Sequence, residues 1–437
     1  MRFFLLLTLC LLVMATKASV DFDTYFDGRT LRIDYTFAGD STSQQIFVNL
    51  YASLDNWAGR RVNLDKLQIE GTADITMRTK KEGKVIYRYS FSTHFQDYTG
   101  IEQATRLKAS FDHVVLLPMP REEVNIEIRL FDFRQKPVAS LTHPFDPKDI
   151  LIRNLSTNEP KPETRYIFKS GDSRDHIDIA ILAEGYTKEE LPIFFEDAKR
   201  YADTIFSCEP FKSNRSKFNV VAVGAVSQQS GISEPAKGKW LNTAAETFFD
   251  LLYMSRLLGV PKLSKVNDLL AHTDYEHILI LANTDTYGGC GVYNSYAISP
   301  AHNAQSLPVV IHEFGHSFGG LGDEYFYDDS YTQYYYPDVE PWNENLTTLF
   351  DFKRKWADML PKGAPIPTPA DTAGKLSKND ATTIGVYEGG GYQSKGVYRP
   401  TINCRMRTNA VKEFCPVCKR AINRIIDYNL KENNSLK

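Results

Sequence analysis

The chain has 437 residues, of which 42% are hydrophobic and 24% are charged, and its formal net charge is −3. These proportions are typical of soluble globular domains, and the length predicts two domains rather than one. A charge this close to neutral gives no electrostatic basis for binding nucleic acid or an anionic membrane surface, so neither is expected as a partner.

The first 18 residues have the pattern of a secretory signal peptide. A basic start at Met1–Arg2 is followed by the apolar run Phe3–Ala15, and Thr16–Ala18 offers a small-residue cleavage site. The apolar run is too short for a comfortable membrane span, although an uncleaved anchor is the alternative. No other stretch could cross a bilayer. We therefore expect an exported mature protein, either secreted, periplasmic or at the cell surface, without a membrane span.

The cysteines predict a disulfide near the C-terminus. Export permits disulfides, and five cysteines remain if Cys10 leaves with the signal peptide. Cys415-Pro-Val-Cys418 could be a redox pair or half of a zinc knuckle, but it lacks a β-α-β setting and a second paired cluster. A structural disulfide to Cys404 or Cys290 is therefore favoured, and the sequence does not decide between them.

Residues 19–160 have the pattern of a β-sandwich domain. Several segments alternate polar and apolar residues, and turn residues separate them without an intervening helix. The predicted strands are Leu31–Phe37, Gln45–Tyr51, Val85–Phe91, His113–Leu117 and Val124–Leu130.

A linker at Asn154–Thr164 precedes a different pattern in residues 161–437, which we predict to be a second, α/β domain. Buried-type strands alternate with helical segments there, and Thr187 with Glu190 forms a capping-box pattern. The predicted strands are Ile177–Leu182, Phe218–Val223 and His277–Leu281, and the predicted helices run from Thr187 to about Phe206 and from Thr243 to Leu258.

The strongest chemical signal is His-Glu-x-x-His, formed by His312, Glu313 and His316. Ser306 and Pro308 are a plausible helix start, and the apolar flanks indicate that the helix is buried. Histidines four residues apart on one helix face can bind one zinc ion, and the glutamate beside them can take a proton from the metal-bound water. Buried histidines and a glutamate need partners, which a metal supplies.

The motif His-Glu-x-x-His-x-x-x-Gly-x-x-Asp-Glu-Tyr resembles the zinc signature of the IgA-peptidase (igalysin) family of metzincin zinc metalloendopeptidases. The downstream segments 387–392 and 396–407 are similar to the family's approach to its Met-turn, with Met406 as the methionine below the metal. The resemblance implies an α+β protein, in which an N-terminal β-sandwich domain precedes a metzincin-like α/β zinc peptidase domain.

The resemblance also implies one zinc ion bound by His312, His316 and Asp323. Metzincins place the third ligand three residues after a turn glycine, and that count leads from Gly320 to Asp323, with the adjacent Glu324 as the rival. Tyr392 and Tyr398 are weak candidates for stabilising an oxyanion. The stretch Tyr287–Ala297 would form the sheet edge over the cleft, where its glycines would let a substrate backbone pair as an added strand.

These features predict a secreted zinc metalloendopeptidase in which Glu313 is the general base. Its substrate would be a protein or peptide, with a host glycoprotein as one candidate, and the signature does not encode cleavage of immunoglobulin A. The alternatives are an adhesin-like binding protein with a structural metal site and a zinc amidase acting on cell-wall or glycan material. The intact Glu313 argues against the adhesin, because a structural site needs no base.

Overall fold

The computed structural model describes residues 19–157, 160–328, 333–369 and 380–432, and its architecture is mixed α+β, as predicted. The predicted signal peptide, residues 1–18, lies outside the described residues. Within the described ranges, none of the helices has the length and apolar character needed to cross a membrane.

The N-terminal part consists mainly of β-strands. Its elements are α1 (Phe22–Tyr25), β1 (Phe26–Gly39), β2 (Gln44–Leu54), β3 (Ala73–Thr79), β4 (Val85–Phe91), α2 (His94–Thr99), β5 (Ala109–Pro120), β6 (Val124–Phe131), β7 (Pro137–Phe145) and β8 (Arg153–Asn154). The strands form two sheets with the orders β5-β1-β2-β8 and β4-β3-β6-β7. Each of the five predicted strands lies within one of these elements, whereas β3, β7 and β8 were not predicted.

Alternating side chains explain how the two sheets share a core. On β6, Val124, Ile126, Ile128 and Leu130 are buried, and the residues between them are partly exposed. Successive side chains of a strand point to opposite faces, so one face of each sheet is apolar. The inward side chains of both sheets form one continuous buried cluster.

The C-terminal part is built on a sheet of mostly parallel strands. Its elements are β9 (Glu163–Lys169), β10 (Ile177–Glu184), α3 (Leu191–Ile205), β11 (Phe218–Gly224), α4 (Leu263–Leu269), β12 (His277–Ala282), β13 (Cys290–Val292), β14 (Tyr296–Pro300), α5 (Ser306–Gly319), β15 (Phe326–Tyr327), β16 (Tyr387–Gly390), β17 (Tyr392–Arg399) and α6 (Pro416–Leu430). The large sheet has the order β13-β14-β12-β10-β11-β9, with antiparallel pairing only for β13 and β9 at its edges. A small sheet has the order β15-β17-β16.

The central strands are buried on both faces. Ile179 and Ile181 on β10 pack with α3, α5 and α6, while Ala180 and Leu182 pack on the opposite face with α4. Covered faces account for the continuous apolar runs of β10, β11 and β12, which the sequence predicted as strands. The predicted capping box is also present, because the Glu190 carboxylate accepts a hydrogen bond from Thr187 N at 2.8 Å.

The predicted helix from Thr243 to Leu258 is wrong. This segment is irregular, with one 3₁₀ turn at Leu251–Tyr253. The buried carboxylate of Glu184, at the end of β10, accepts hydrogen bonds from Thr243 Oγ1, Ala245 N and Thr247 N at 2.6, 2.7 and 2.9 Å. The backbone itself is not helical, because Glu246, Asp250, Leu252 and Tyr253 all have positive φ values, and Phe248 forms an antiparallel β-bridge with Gly259. Tertiary contacts therefore override the helical pattern.

Buried polar contacts join the N-terminal part to the C-terminal part. Arg32 is fully buried, and its guanidinium contacts Asp34 and Asp268, each at 2.6 Å. Beside β13, Ser92 N donates to Tyr293 O at 2.9 Å, and Asn294 Nδ2 donates to Ser90 O at 2.8 Å. These contacts hold residues 90–97 of the N-terminal part next to the edge strand of the large sheet.

Candidate metal centre

Helix α5 carries the His-Glu-x-x-His motif across the core. It begins at Ser306, with Gln305 as its N-cap, and Gly320 ends it in a left-handed conformation with a φ of +59°. Glycine reaches this conformation without a Cβ penalty, and it reverses the chain back toward the motif. The apolar residues on both sides of the motif are buried, as the sequence predicted.

The two histidines present their Nε2 atoms to one point. These atoms are 3.0 Å apart. The Nδ1 atoms point the other way, to Arg405 O at 3.0 Å from His312 and to Leu321 O at 2.6 Å from His316. A carbonyl can only accept, so each Nδ1 carries a hydrogen, and in the neutral imidazole each Nε2 then offers a lone pair. This orientation is the usual one for histidines that bind a metal.

Asp323 is the third side chain that reaches the point where the two histidines meet. The reversed chain places Asp323 Oδ1 at 3.0 Å from His312 Nε2 and at 3.3 Å from His316 Nε2. Its other oxygen accepts a hydrogen bond from the Tyr392 hydroxyl. The neighbouring Glu324 points away, and its Oε1 accepts from Asn345 Nδ2 at 2.9 Å. The structure therefore brings Asp323, and not Glu324, to the histidine pair.

This arrangement fits a cation. Two nitrogen lone pairs and a carboxylate converge, and Asp323 Oδ1 is buried without a hydrogen-bond donor. Burial opposes a charge on His316, but the Asp323 carboxylate outweighs it and raises the pKa of His316 to about 9. The site favours positive charge and offers two imidazoles and one carboxylate as ligands, with space beside them for water. This is the donor set of a catalytic zinc site.

Glu313 lies beside this centre and against the edge strand β13. Its carboxylate lies within 4.8 Å of the histidine nitrogens. Burial raises the pKa of Glu313, and the nearby histidines oppose the rise. A Cβ added at Gly289 would lie 2.8 Å from Glu313 Oε1, and one added at Gly291 would lie 2.2 Å from Glu313 O. These two glycines therefore make room for α5, which the sequence did not predict.

Met406 lies directly below α5. A Cβ added at Gly315 would lie 2.7 Å from Met406 Sδ, and the Met406 side chain is completely buried. The backbone carbonyl of Met406 accepts a hydrogen bond from Glu324 N at 2.8 Å. The methionine loop thus contacts both the helix of the histidines and the segment of Asp323.

A cleft of about 880 Å³ opens over the histidine pair between the two parts of the chain. The N-terminal part contributes Thr93, His94 and Gln96, and the C-terminal part contributes many aromatic residues. The aromatic lining includes Tyr287, Tyr325, Tyr327, Tyr335, Trp342 and Tyr392. Tyr398 pairs with Glu388 on the small sheet and does not line the cleft.

Sequence analysis missed two features of the cleft. His94 had no nearby ligand partners in the sequence, yet its Nε2 lies 2.8 Å from the Tyr296 hydroxyl, close to β13. Arg256 fell in the wrongly predicted helix, but it lines the cleft and donates to the Tyr327 hydroxyl at 2.9 Å. Neither residue has a local signal, because its place in the cleft depends on contacts between distant segments.

Comparisons with known proteins cover both parts of the chain. A family model described as IgA Peptidase M64 matches residues 166–379 and 370–426. A second model, described as Peptidase M64 N-terminus, matches residues 21–142. A search of curated proteins finds no match to the chain. On these two family matches, which together span most of its length, the chain belongs to the IgA peptidase M64 family.

Proposed function

We propose that the protein is an exported, zinc-dependent endopeptidase that hydrolyses peptide bonds in proteins or peptides. Its family makes it a peptidase, and therefore a hydrolase with a protein substrate. The observation that carries the rest is the convergence of His312 Nε2, His316 Nε2 and Asp323 Oδ1 within 3.3 Å, with the Glu313 carboxylate beside them.

The three converging residues would hold one zinc ion, which would polarise the scissile carbonyl and make a bound water acidic. Glu313 would take a proton from the attacking water and deliver it to the leaving amine. The Tyr392 hydroxyl holds the second oxygen of Asp323, so the aspartate keeps its orientation toward the histidines. The backbone carbonyls at Arg405 and Leu321 hold the imidazole rings in place.

The cleft supports an extended peptide as the substrate. The edge strand β13 borders the cleft, and an edge strand can pair with a peptide backbone. The aromatic walls offer apolar contact area for side chains on both sides of the cleaved bond. A binding protein with a structural metal has no need for Glu313, and the family favours peptide bonds over the amides of cell-wall or glycan material.

The N-terminal sequence supports export, and we propose that residues 1–18 are a signal peptide. The composition of the sheets supports a division into an N-terminal domain at 19–160 and a catalytic domain at 161–437.

Cleavage of unfolded casein and of an unbiased peptide library tests the proposal. We expect cleavage near neutral pH, loss of cleavage after treatment with a chelator, and recovery when zinc is restored. Host glycoproteins, including immunoglobulin A, are assayed in parallel as protein substrates. Cell-wall fragments are assayed as amidase substrates, which separates a peptidase from an amidase. Cleavage that persists after complete removal of metal would overturn the zinc mechanism, and cleavage of cell-wall amides alone would overturn the substrate class.

A further inference from the structure

A second group of potential metal ligands lies beside the candidate metal centre. It consists of Glu324, Cys404, Cys415 and Cys418, and their carboxylate and sulfur atoms all lie within 4.8 Å of one another. All four side chains are completely buried. Three distant segments contribute to this cluster, namely the residue after Asp323, the loop before Met406, and the first turn of α6 with its N-cap.

The sulfur positions do not fit the disulfide that the sequence predicted. All three cysteines of the cluster are free thiols, as are Cys208 and Cys290. The Sγ atoms of Cys404 and Cys418 are 3.8 Å apart, whereas a disulfide bond is about 2.05 Å long. Four ligands at the corners of a tetrahedron with zinc–sulfur distances of about 2.3 Å have sulfur atoms about 3.8 Å apart. The observed separation, which is also a hydrogen-bonding distance between two thiols, matches that of two thiolates on one zinc ion.

The carboxylate occupies the place of a fourth ligand. Glu324 Oε1 lies 3.3 Å from Cys418 Sγ, close to the roughly 3.5 Å expected between oxygen and sulfur on a tetrahedral zinc ion. Glu324 Oε2 is buried without a hydrogen-bond donor. A buried carboxylate with an unpaired oxygen is costly unless a cation is next to it, which points to a ligand for this site.

The surroundings suit thiolates. Cys415 N points to Cys404 Sγ at 3.2 Å, and Cys418 N points to Cys415 Sγ at 3.5 Å, so backbone donors face two of the sulfurs. Cys415 is also the N-cap of the 15-residue helix α6, where the helix dipole favours negative charge. Arg399 and Arg407 provide positive charge near Glu324.

We propose that Cys404, Cys415, Cys418 and Glu324 bind a second zinc ion in a closed, structural site. Soft thiolates with a single carboxylate select zinc over magnesium or calcium, and four protein ligands leave no position for a reacting water. Cys404 and Glu324 provide the second half of the zinc knuckle that the spacing of Cys415 and Cys418 suggested, and they come from other parts of the chain.

The site would hold the catalytic segments together. Glu324 follows Asp323 directly, Cys404 precedes Met406 by two residues, and α6 packs against α5. One ion would thus tie the third catalytic ligand and the methionine loop to the C-terminal helix. Structural zinc contributes directly to folding, so loss of this ion should loosen the segment of Asp323 and the Met406 loop.

The test separates this site from the catalytic one by using the full chain with His312→Ala and His316→Ala. We expect two zinc ions per chain in the wild type and one in the double variant, after metal removal and reconstitution with zinc alone. X-ray absorption of the double variant should give about three sulfur ligands at about 2.3 Å. Because the double variant lacks the catalytic histidines, this result does not depend on the proposed peptidase mechanism.

Two further measurements identify the ligands. Adding Cys418→Ser to the double variant should abolish zinc binding, whereas Cys208→Ser, at a buried cysteine outside the cluster, should leave it unchanged. If the Cys418 variant does not fold, cobalt replaces zinc in the double variant, and a sulfur-to-cobalt charge-transfer band is expected. A folded double variant that binds no zinc, or a Cys404–Cys418 disulfide in non-reduced peptides, would overturn the proposal. Iron bound to the cysteines in the protein as isolated would overturn it as well.

Discussion

The adjacent carboxylates of Asp323 and Glu324 face two different groups of side chains. Asp323 faces the histidine pair, and Glu324 faces the buried cysteines. Neighbouring side chains of an extended segment point in opposite directions, so a single change of register would exchange the two groups. The hydrogen bond from Glu324 N to Met406 O sets this register.

Replacement of Asp323 tests its assignment as a zinc ligand. Asp323→Ala should weaken zinc binding at the histidine site by more than about 100-fold, because loss of even an outer hydrogen-bond partner costs 10–100-fold. Proteolysis should fall in parallel, which is followed by titrating metal-free protein with zinc while cleavage of casein is measured. Glu324→Gln is the comparison variant: it should affect the histidine site less and only indirectly, through the proposed structural zinc. A greater loss of zinc from the histidine site in Glu324→Gln than in Asp323→Ala would refute the assignment.

Glu313 should be required for cleavage and dispensable for metal binding. Glu313→Ala and the isosteric Glu313→Gln should each lower kcat by roughly 10²–10⁴-fold, the usual contribution of a general base. Zinc content should match that of the wild type, because the two histidines and Asp323 are unchanged. Equal activity in either variant would show that another group is the base.

At the scale of elements, the contact between α5 and β13 determines the shape of the centre. The strand crosses the helix closely enough that a Cβ at Gly291 would lie 2.2 Å from a backbone oxygen and 2.8 Å from His316 Cβ. A backbone atom cannot rotate away as a side chain can, so the glycine is needed for close packing. The pairing of β13 with β14 and the position of α5 therefore depend on each other.

Gly291→Ala should separate these two elements. We expect a loss of about 1–3 kcal/mol in the free energy of unfolding, as for other overpacked sites, together with a marked loss of activity. Denaturant unfolding and cleavage of a peptide substrate measure the two effects. Gly224→Ala in β11 is the matched control, because its Cβ would mainly meet side-chain atoms of Phe195 and Leu191 at 3.1 and 3.3 Å. Similar effects of both substitutions would argue against a special role for Gly291.

At the scale of the whole molecule, the cleft belongs to both parts of the chain. Thr93, His94, Gln96 and Asp97 line one wall, and hydrogen bonds to Tyr293 and from Asn294, which directly follow β13, hold that wall in place. The N-terminal part is therefore positioned to contact a substrate as well as to support the fold. Its apolar core is nevertheless its own and is built from its two sheets.

Separate expression of residues 19–160 and 161–437 tests this organisation. The first fragment should unfold cooperatively and show no zinc binding or proteolysis, because the histidines lie in the second. The second fragment should cleave peptides more weakly than the full chain, because it lacks one wall of the cleft. Proteolysis by the first fragment, or its aggregation without a cooperative transition, would argue against the proposed boundary.

If the protein is exported, its mature form should lack the signal peptide. N-terminal sequencing of protein from the native host should begin after about Ala18, as expected for cleavage behind an apolar run that ends in small residues. A chain that retains Met1 and sediments with membranes would instead be anchored.

The sequence by itself was sufficient for local features. Period-two alternation predicted strands within β1, β2, β4, β5 and β6, because a half-buried sheet imposes that pattern directly on the chain. The continuous apolar runs of β10 to β12 were also predicted, because strands covered on both faces are apolar throughout. The helix α5 was predicted from its start residues and its motif, and Gly320 was predicted as the turn glycine after it. The spacing of His312 and His316 predicted that both imidazoles lie on one face, because residues four apart in an α-helix are neighbours on its surface.

Only the tertiary structure decided what depends on distant segments. The segment Thr243–Leu258 was predicted as a helix, but its residues bond to the Glu184 carboxylate and to Gly259, and several of them have positive φ values. The choice between Asp323 and Glu324 depends on which way an extended segment faces, and that follows from its contact with the Met406 loop. Cys404 is separated from Cys418 by 14 residues and from Glu324 by 80, so only folding brings their side chains together. Local spacing shows which groups a helix or strand presents together, whereas packing alone determines which of these groups meet.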